Sequence, residues 1–327
     1  MNVRITQIDG KLPNLALMRL AAHHRARGDD IHFSRGVRRE LFEPKYDLVY
    51  GSAIFKFSAS RIHTFRREFP EAIIGGTGSG EVVTVEDFIG ASSAVDYGIC
   101  PADFTASIGF TQRGCRLACK FCVVPSKEGK PKHAGTVESI WRGAPWPKHL
   151  HLLDNDFFGG PHWRDRIAEI RAGGFKVSFT QGINVRAMTP EVADAIASVE
   201  YRDNEFQRRR LYTAWDNLKD EEVFFRGVDM LEAAGIPPSH LMAFMLIGFD
   251  KRETWDRIHH RFNRMVDRGV MPYPMPFDQT RLEHKRFQRW AVTGIYRSQP
   301  SFEAYNIKAA RARRRAGPHD DLFGDRA

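Results

Sequence analysis

Three of the chain's four cysteines, Cys115, Cys119 and Cys122, share one short stretch, Gly114-Cys115-Arg116-Leu117-Ala118-Cys119-Lys120-Phe121-Cys122. Thiolates at CxxxCxxC spacing on a single loop can each ligate one iron of a [4Fe–4S] cube. The fourth iron then has no protein ligand and can bind a reactant, whereas a closed four-cysteine site can only pass electrons. Zinc is the competing chemistry. Cys119-x-x-Cys122 resembles half of a zinc knuckle, and His133 could complete a Cys3His set. Against zinc, the sequence holds no second two-cysteine knuckle, and the Cys115-xxx-Cys119 interval is unusual for that metal. Clustered thiols in such a chain point to metal rather than to disulfides. Cys100 stands apart and reads as a buried thiol.

The rest of the composition sets bounds on the setting of this loop. Of 327 residues, 42% are hydrophobic and 27% charged, which suits a globular protein with a substantial core. No apolar run approaches the ~20 residues of a membrane-crossing helix. The N-terminus passes directly into strand-like alternation without the basic flank and apolar stretch of a secretory signal. The expectation is a cytoplasmic protein with no membrane partner. A net charge of +9 admits nucleic acid or a phosphorylated metabolite as substrate. The basic run Lys308-Ala-Ala-Arg-Ala-Arg-Arg-Arg315 could meet a phosphate backbone or remain a solvated end.

Two alternating series must position the loop. In residues 1–95, strands are expected around Val3–Ile8, 30–33, 46–50 and 72–74, with helices over 15–22 and around Ile62, Phe65 and Phe69. This predicts a parallel sheet with helices on its faces. The run Gly75-Gly76-Thr77-Gly78-Ser79-Gly80 lacks both dinucleotide and Walker spacing and reads as a turn. In residues 96–285, strands are expected over 106–110, 150–153, 176–180, 211–214, 242–247 and 269–273. Thr189-Pro190-Glu191 opens one intervening helix with a cap and a first-turn proline. Phe224, Val228 and Leu231 line another, and Trp255, Ile258, Phe262 and Met265 a third. Six β/α units with the cysteine loop after the first strand predict an open, partial barrel with its chemistry at the C-terminal strand ends. Residues 286–327 read as a helical extension and the basic tail.

The cysteine loop, with an aromatic residue before its last cysteine, resembles that of the radical S-adenosylmethionine superfamily. Its flanks, Ser107-Ile108-Gly109-Phe110 and Val123-Val124-Pro125-Ser126-Lys127-Glu128-Gly129, are similar to those of members with an N-terminal cobalamin-binding-like domain. The resemblance covers most of residues 1–285. It implies an α/β enzyme: a Rossmann-like first domain, then a partial (β/α)6 radical SAM barrel. Its cofactors would be a [4Fe–4S] cluster on Cys115, Cys119 and Cys122 and S-adenosylmethionine chelated at the fourth iron. An electron donor such as flavodoxin or ferredoxin would reduce the cluster. Reductive cleavage would give a 5′-deoxyadenosyl radical that abstracts hydrogen from a substrate the sequence does not identify.

The resemblance implies further cofactor contacts at strand ends. Phe121 would pack near adenine. Asp154 and Asn155 stand where the family binds the methionine amino group, although its glycine-glycine-glutamate pattern is not reproduced here; Asp154 could instead cap the next helix. Asn184 and Arg186 could meet ribose and carboxylate, Asp216 could face substrate or cofactor, and Gly248 would allow close approach to adenine. The stretch Met271-Pro272-Tyr273-Pro274-Met275-Pro276-Phe277-Asp278 could line the substrate end or close the barrel's side. No side chain stands out as catalytic. Cobalamin is disfavoured, because Asp9-Gly10-Lys11-Leu12-Pro13-Asn14 places Lys11 where the family's DxHxxG histidine would ligate cobalt and Asn14 where its glycine would stand. The alternatives are a cobalamin-dependent radical SAM methyltransferase and, outside enzymes, a zinc-stabilised nucleic-acid-binding protein. A methylthiotransferase would need three further cysteines in the first domain, and none precedes Cys100.

Overall fold

A computed structural model describes residues 1–90 and 92–306, so the basic run at 308–315 lies outside the described residues. The protein is α/β with parallel sheets, and it divides into two compact units, Met1–Ile108 and a second that begins at Gly109. The division falls thirteen residues beyond the expected boundary at 95/96. No described helix is long and apolar enough to cross a membrane.

In the first unit, β1 (Asn2–Gln7), β2 (Asp30–Ser34), β3 (Leu48–Ser52) and β4 (Ile73–Gly75) form a parallel sheet in the order β2-β1-β3-β4. Although its residues alternate between apolar and polar, β1 is buried on both faces, as befits the middle of a parallel sheet. Arg4 is tolerated there because it pairs with Glu43, donates to the Gly36 carbonyl at 2.9 Å and lies over the Phe69 ring at 4.6 Å. Helix Leu15–Ala26 starts at Asn14, whose side-chain oxygen accepts the Leu17 N–H at 3.2 Å, and it buries Leu17, Met18, Leu20 and Ala21. The glycine-rich turn after β4 presses on the β3 loop. At Gly76, with φ +90°, a Cβ would fall 2.3 Å from the Ala53 carbonyl oxygen. The turn is packed shut.

The second unit carries the expected series with refined limits. Strand β5 (Ser107–Gly109) straddles the unit boundary, and the Leu153 N–H bonds its Gly109 carbonyl at 2.9 Å. Strands β6 (Gln112–Arg113) and β7 (Lys132–His133) form an antiparallel hairpin that the sequence did not signal. Then β8 (His149–Leu152) and β9 (Lys176–Phe179) pair in parallel, and a two-residue strand, β10 (Glu200–Tyr201), takes the other edge of β9. Strands β11 (Leu211–Ala214), β12 (Leu241–Ile247) and β13 (Met271–Pro276) form a second parallel sheet in that order. The six expected strands are therefore shared between two sheets, with β10 occupying the edge where β11 was expected. One backbone bond still links the loop after β9 to β11, Ile183 N–H to the Tyr212 carbonyl at 2.7 Å.

Helix Pro190–Ala197 is capped by the Thr189 hydroxyl, and helices Glu221–Ala233 and Trp255–Asp267 bury Phe224, Val228, Leu231, Ile258, Phe262 and Met265. Trp255 departs from its expected core position: it sits at the helix start, 37% exposed, with its ring edge-on to His284 and Phe287. Helix Leu282–Val292 packs Phe287 and Trp290 against Phe262, so this segment joins the core instead of extending from it. Strand β13 is an edge. Its prolines at 272, 274 and 276 alternate with residues whose N–H groups serve β12, and none of these prolines can donate outward. Two of the outward carbonyls are met by glutamine side chains, Gln288 to Pro274 and Gln279 to Pro276, both at 2.9 Å.

Candidate functional site

The cysteine loop leaves β5 and returns through β7. Hairpin register pairs Gln112 with His133 and Arg113 with Lys132, which closes the base of the loop. Within it, the Cys115 N–H bonds the Gly129 carbonyl at 3.1 Å and the Cys122 N–H bonds the Cys119 carbonyl at 3.0 Å. Cys115, Cys119 and Cys122 form no disulfide; the first two are half-buried and Cys122 is exposed. Burial pushes the Cys115 thiol up, and the nearby Asp156 carboxylate and the other two sulfurs add to the effect. A bound cation would supply the charge that thiolates here need.

Three consecutive residues after β8 hold this loop, each at a different point. The buried Asp154 carboxylate accepts from the Thr111 hydroxyl at 2.8 Å, the Thr111 N–H at 3.3 Å and the Gln112 N–H. Burial raises its carboxyl to about 6 despite these donors. Asn155 donates to Glu128 at 3.1 Å, and Glu128 in turn accepts from Arg113 at 2.8 Å and from the Gly114 N–H at 2.9 Å. Although burial opposes it, this company holds Glu128 below the usual carboxylate range. Asp156 receives the Arg116 guanidinium through two bonds, at 2.9 and 3.1 Å, and also the Arg116 N–H at 3.1 Å. Asp154 caps no helix: the two helical segments that follow start at Asp156 and His162. Here the expectation changes, because both Asp154 and Asn155 face the loop's own backbone and side chains.

Arg186 comes to the cysteines from the loop after β9. Its guanidinium donates to Cys119 Sγ at 3.6 Å and to Asp220 at 3.1 Å. A cationic N–H donor on a ligand sulfur withdraws electron density from it. Asn184 lies two residues earlier, and its Nδ2 is buried without a hydrogen-bond partner. Asp216, after β11, accepts the Leu246 N–H at 2.9 Å, and burial raises its carboxyl. Beside it, the buried Arg261 bonds the Trp215 and Leu246 carbonyls at 2.9 Å and pairs with Glu253. Gly248 has φ +78°, which favours glycine, and a Cβ there would also fall 2.4 Å from the His284 ring. The Gly248 N–H is taken by Glu253 at 2.6 Å.

Phe121 is 39% exposed and meets Phe249 edge-on at 5.5 Å, and Phe249 meets Phe277 likewise at 5.0 Å. The structure thus brings together the loop aromatic, the segment after β12 and the segment after β13. Thr111, Gln112, Glu128, Asp156, Asp220, Phe249 and Phe277 were not singled out by sequence. One signal was available: Glu128 is the only acid between Arg113 and His133, a stretch with six basic residues.

Thiolates about 2.3 Å from one tetrahedral zinc stand about 3.8 Å apart. Among the described residues, the group of three or more ligand atoms within 4.8 Å of one another is His32, Glu40 and Glu43, not the cysteines with or without His133. That first-unit group already contains the Arg4 guanidinium paired with Glu43. A cubane spreads its thiolates more widely than a single ion does, and three sulfurs on one anchored loop suit it. Compared with known proteins, the chain matches no family model and no curated protein.

Proposed function

We propose that the protein is a radical S-adenosylmethionine enzyme, with a Rossmann-like first unit and a partial-barrel second unit. The observation that carries the reading is the CxxxCxxC loop after β5, with three thiols in no disulfide and its flanks tied down by Asp154, Asn155 and Asp156. The strand order β2-β1-β3-β4 supports the first half of the fold reading, and the parallel pairings β8–β9 and β11–β12–β13 support the second.

Cys115, Cys119 and Cys122 would hold a [4Fe–4S] cluster, which supplies the electron that cleaves S-adenosylmethionine to methionine and a 5′-deoxyadenosyl radical. The chain's own residues provide position and shelter. The Asp154 bonds to Thr111 and Gln112 fix where the loop departs from β5. Arg186 holds positive charge against Cys119 and is itself oriented by Asp220. Asn184 offers a buried amide N–H group still in need of an acceptor. Phe121 and Phe249 set an apolar edge-to-face pair beside the last cysteine. Zinc as the loop's metal is disfavoured by the sulfur spacing, and cobalamin by the first unit, where Asp9 and Asn14 are spent on internal bonds.

The test is anaerobic reconstitution with iron and sulfide, then dithionite and S-adenosylmethionine, with 5′-deoxyadenosine as readout. Wild-type protein should yield product and Cys119→Ala none. Equal yields, or zinc without iron in the protein as isolated, would remove the reading.

A further inference from the structure

The cysteine loop has a charge pattern that its metal does not account for. Six basic residues lie between Arg113 and His133 against one acid, in a chain whose whole excess is +9. Arg113 and Arg116 are used internally, by Glu128 and Asp156. Lys120, Lys130 and Lys132 are exposed, and among the described residues none of the three meets a carboxylate. Like charges left together on a surface raise the folded state's self-repulsion, so their position calls for a polyanionic partner.

The lysines are placed on both sides of the sulfurs. Lys120 stands between Cys119 and Phe121. Lys130 follows Gly129, whose carbonyl takes the Cys115 N–H at 3.1 Å, so the returning chain lies against the first cysteine. Lys132 sits opposite Arg113 in the hairpin. Phe121, Phe249 and Phe277 run on from Lys120 as an edge-to-face series, and Phe277 is 55% exposed. Cations that track a backbone, next to aromatic faces that accept bases, are the chemistry of a single-stranded nucleic-acid site. A duplex buries its base faces and cannot use the rings. An acidic protein could use the lysines but has no comparable need of a series of phenyl rings exposed at both ends, at Phe121 and Phe277.

We propose that the rim of the cysteine loop binds single-stranded nucleic acid, with Lys120, Lys130 and Lys132 on phosphates and Phe277 stacked on a base. This names the substrate class for the reaction proposed above and rests on reading the loop as its active site.

The experiment measures fluorescence anisotropy of a labelled single-stranded oligonucleotide, as RNA and as DNA, against the full chain over a range of salt. Replacing all three lysines (Lys120→Gln, Lys130→Gln, Lys132→Gln) should lower the salt slope by about 2, at about 0.7 per phosphate contact, and weaken binding about a hundredfold near 0.1 M salt. Phe277→Ala should weaken single-strand binding about tenfold and leave the slope unchanged. Circular dichroism should match wild type in both variants. An unchanged slope in the triple variant, as when the basic run at 308–315 does the binding, would overturn the proposal. So would equal affinity for a duplex of the same sequence. Lysine variants that bind oligonucleotide normally but accept electrons slowly from an acidic donor protein would also overturn it, in favour of a reductase dock. The 5′-deoxyadenosine assay is scored separately. Loop-dependent binding without cleavage would sink the catalytic reading alone, and cleavage with loop-independent binding would sink this one alone.

Discussion

In the first unit, the side chains in and beside the loop that follows β1 are spent on backbone groups. Both Asp9 carboxylate oxygens take backbone N–H groups at the end of β3, from Ile54 at 2.7 Å and Phe55 at 3.0 Å. The Gln7 amide bonds the carbonyls of Asp9, Gly10 and Leu12. In the second unit, the loop that follows β5 is fastened from outside, by three residues 27 to 43 positions downstream of the groups they bond, and its sulfurs are left without a strong partner. Two parallel-sheet edges of similar origin thus differ in where their hydrogen bonds end. A loop whose side chains are spent on backbone groups has little left to offer a ligand. A loop whose backbone is satisfied by others can present side chains that are not.

That contrast can be broken most severely at Asp154. Asp154→Ala leaves three donors of Thr111 and Gln112 without an acceptor and should cost the second unit about 3–5 kcal/mol in urea unfolding, with loss of reconstituted iron. Retained iron and stability would show that the loop stands without its anchor. Asp154→Asn sharpens the comparison through pH. With the folded carboxyl raised to about 6 from the model-compound 3.8, the folded state holds a proton that the unfolded chain has lost. Stability from this group is therefore full below about pH 4 and lost as pH rises through about 6. Relative to Asp154→Asn, wild type should lose up to about 3 kcal/mol between about pH 4 and pH 7. A pH-independent difference would contradict the burial argument.

Gly76→Ala attacks the closed edge instead. A methyl group 2.3 Å from the Ala53 oxygen at φ +90° should destabilise the first unit by about 2 kcal/mol while iron loading of the second unit is unaffected. The smallest effect is expected at Arg186. Arg186→Gln weakens the donor on Cys119 and should shift the cluster's potential, read by redox titration with EPR detection, tens of millivolts more negative. An unmoved potential would mean that Arg186 serves only its pairing with Asp220.

Local physics was readable from sequence and long-range satisfaction was not. Thr189 before Pro190, and the apolar run of β12, depend on neighbours a few residues away, and the helix cap and the strand were both anticipated. The cysteine spacing is likewise a local fact. The work of Asp154 and Asp156 depends on partners forty or more residues distant, so a polar trio after an apolar strand could be seen but its partners could not. Strand β10 and the β6–β7 hairpin are two residues per strand, too short for any periodic signal. The glycine-rich run after β4 reads as a turn, but backbone approach at Ala53 and Phe55 is what requires Gly76 and Gly78.

Strand β13 has a consequence for how copies of this protein meet. An exposed strand edge normally offers a ladder that another chain can extend, which leads to strand exchange and fibrillar stacking. Here alternate prolines remove the donors from that ladder and two glutamine amides occupy acceptors. Self-association by sheet extension is blocked on this side of the second unit, so a dimer that uses it must be built from side-chain contacts alone.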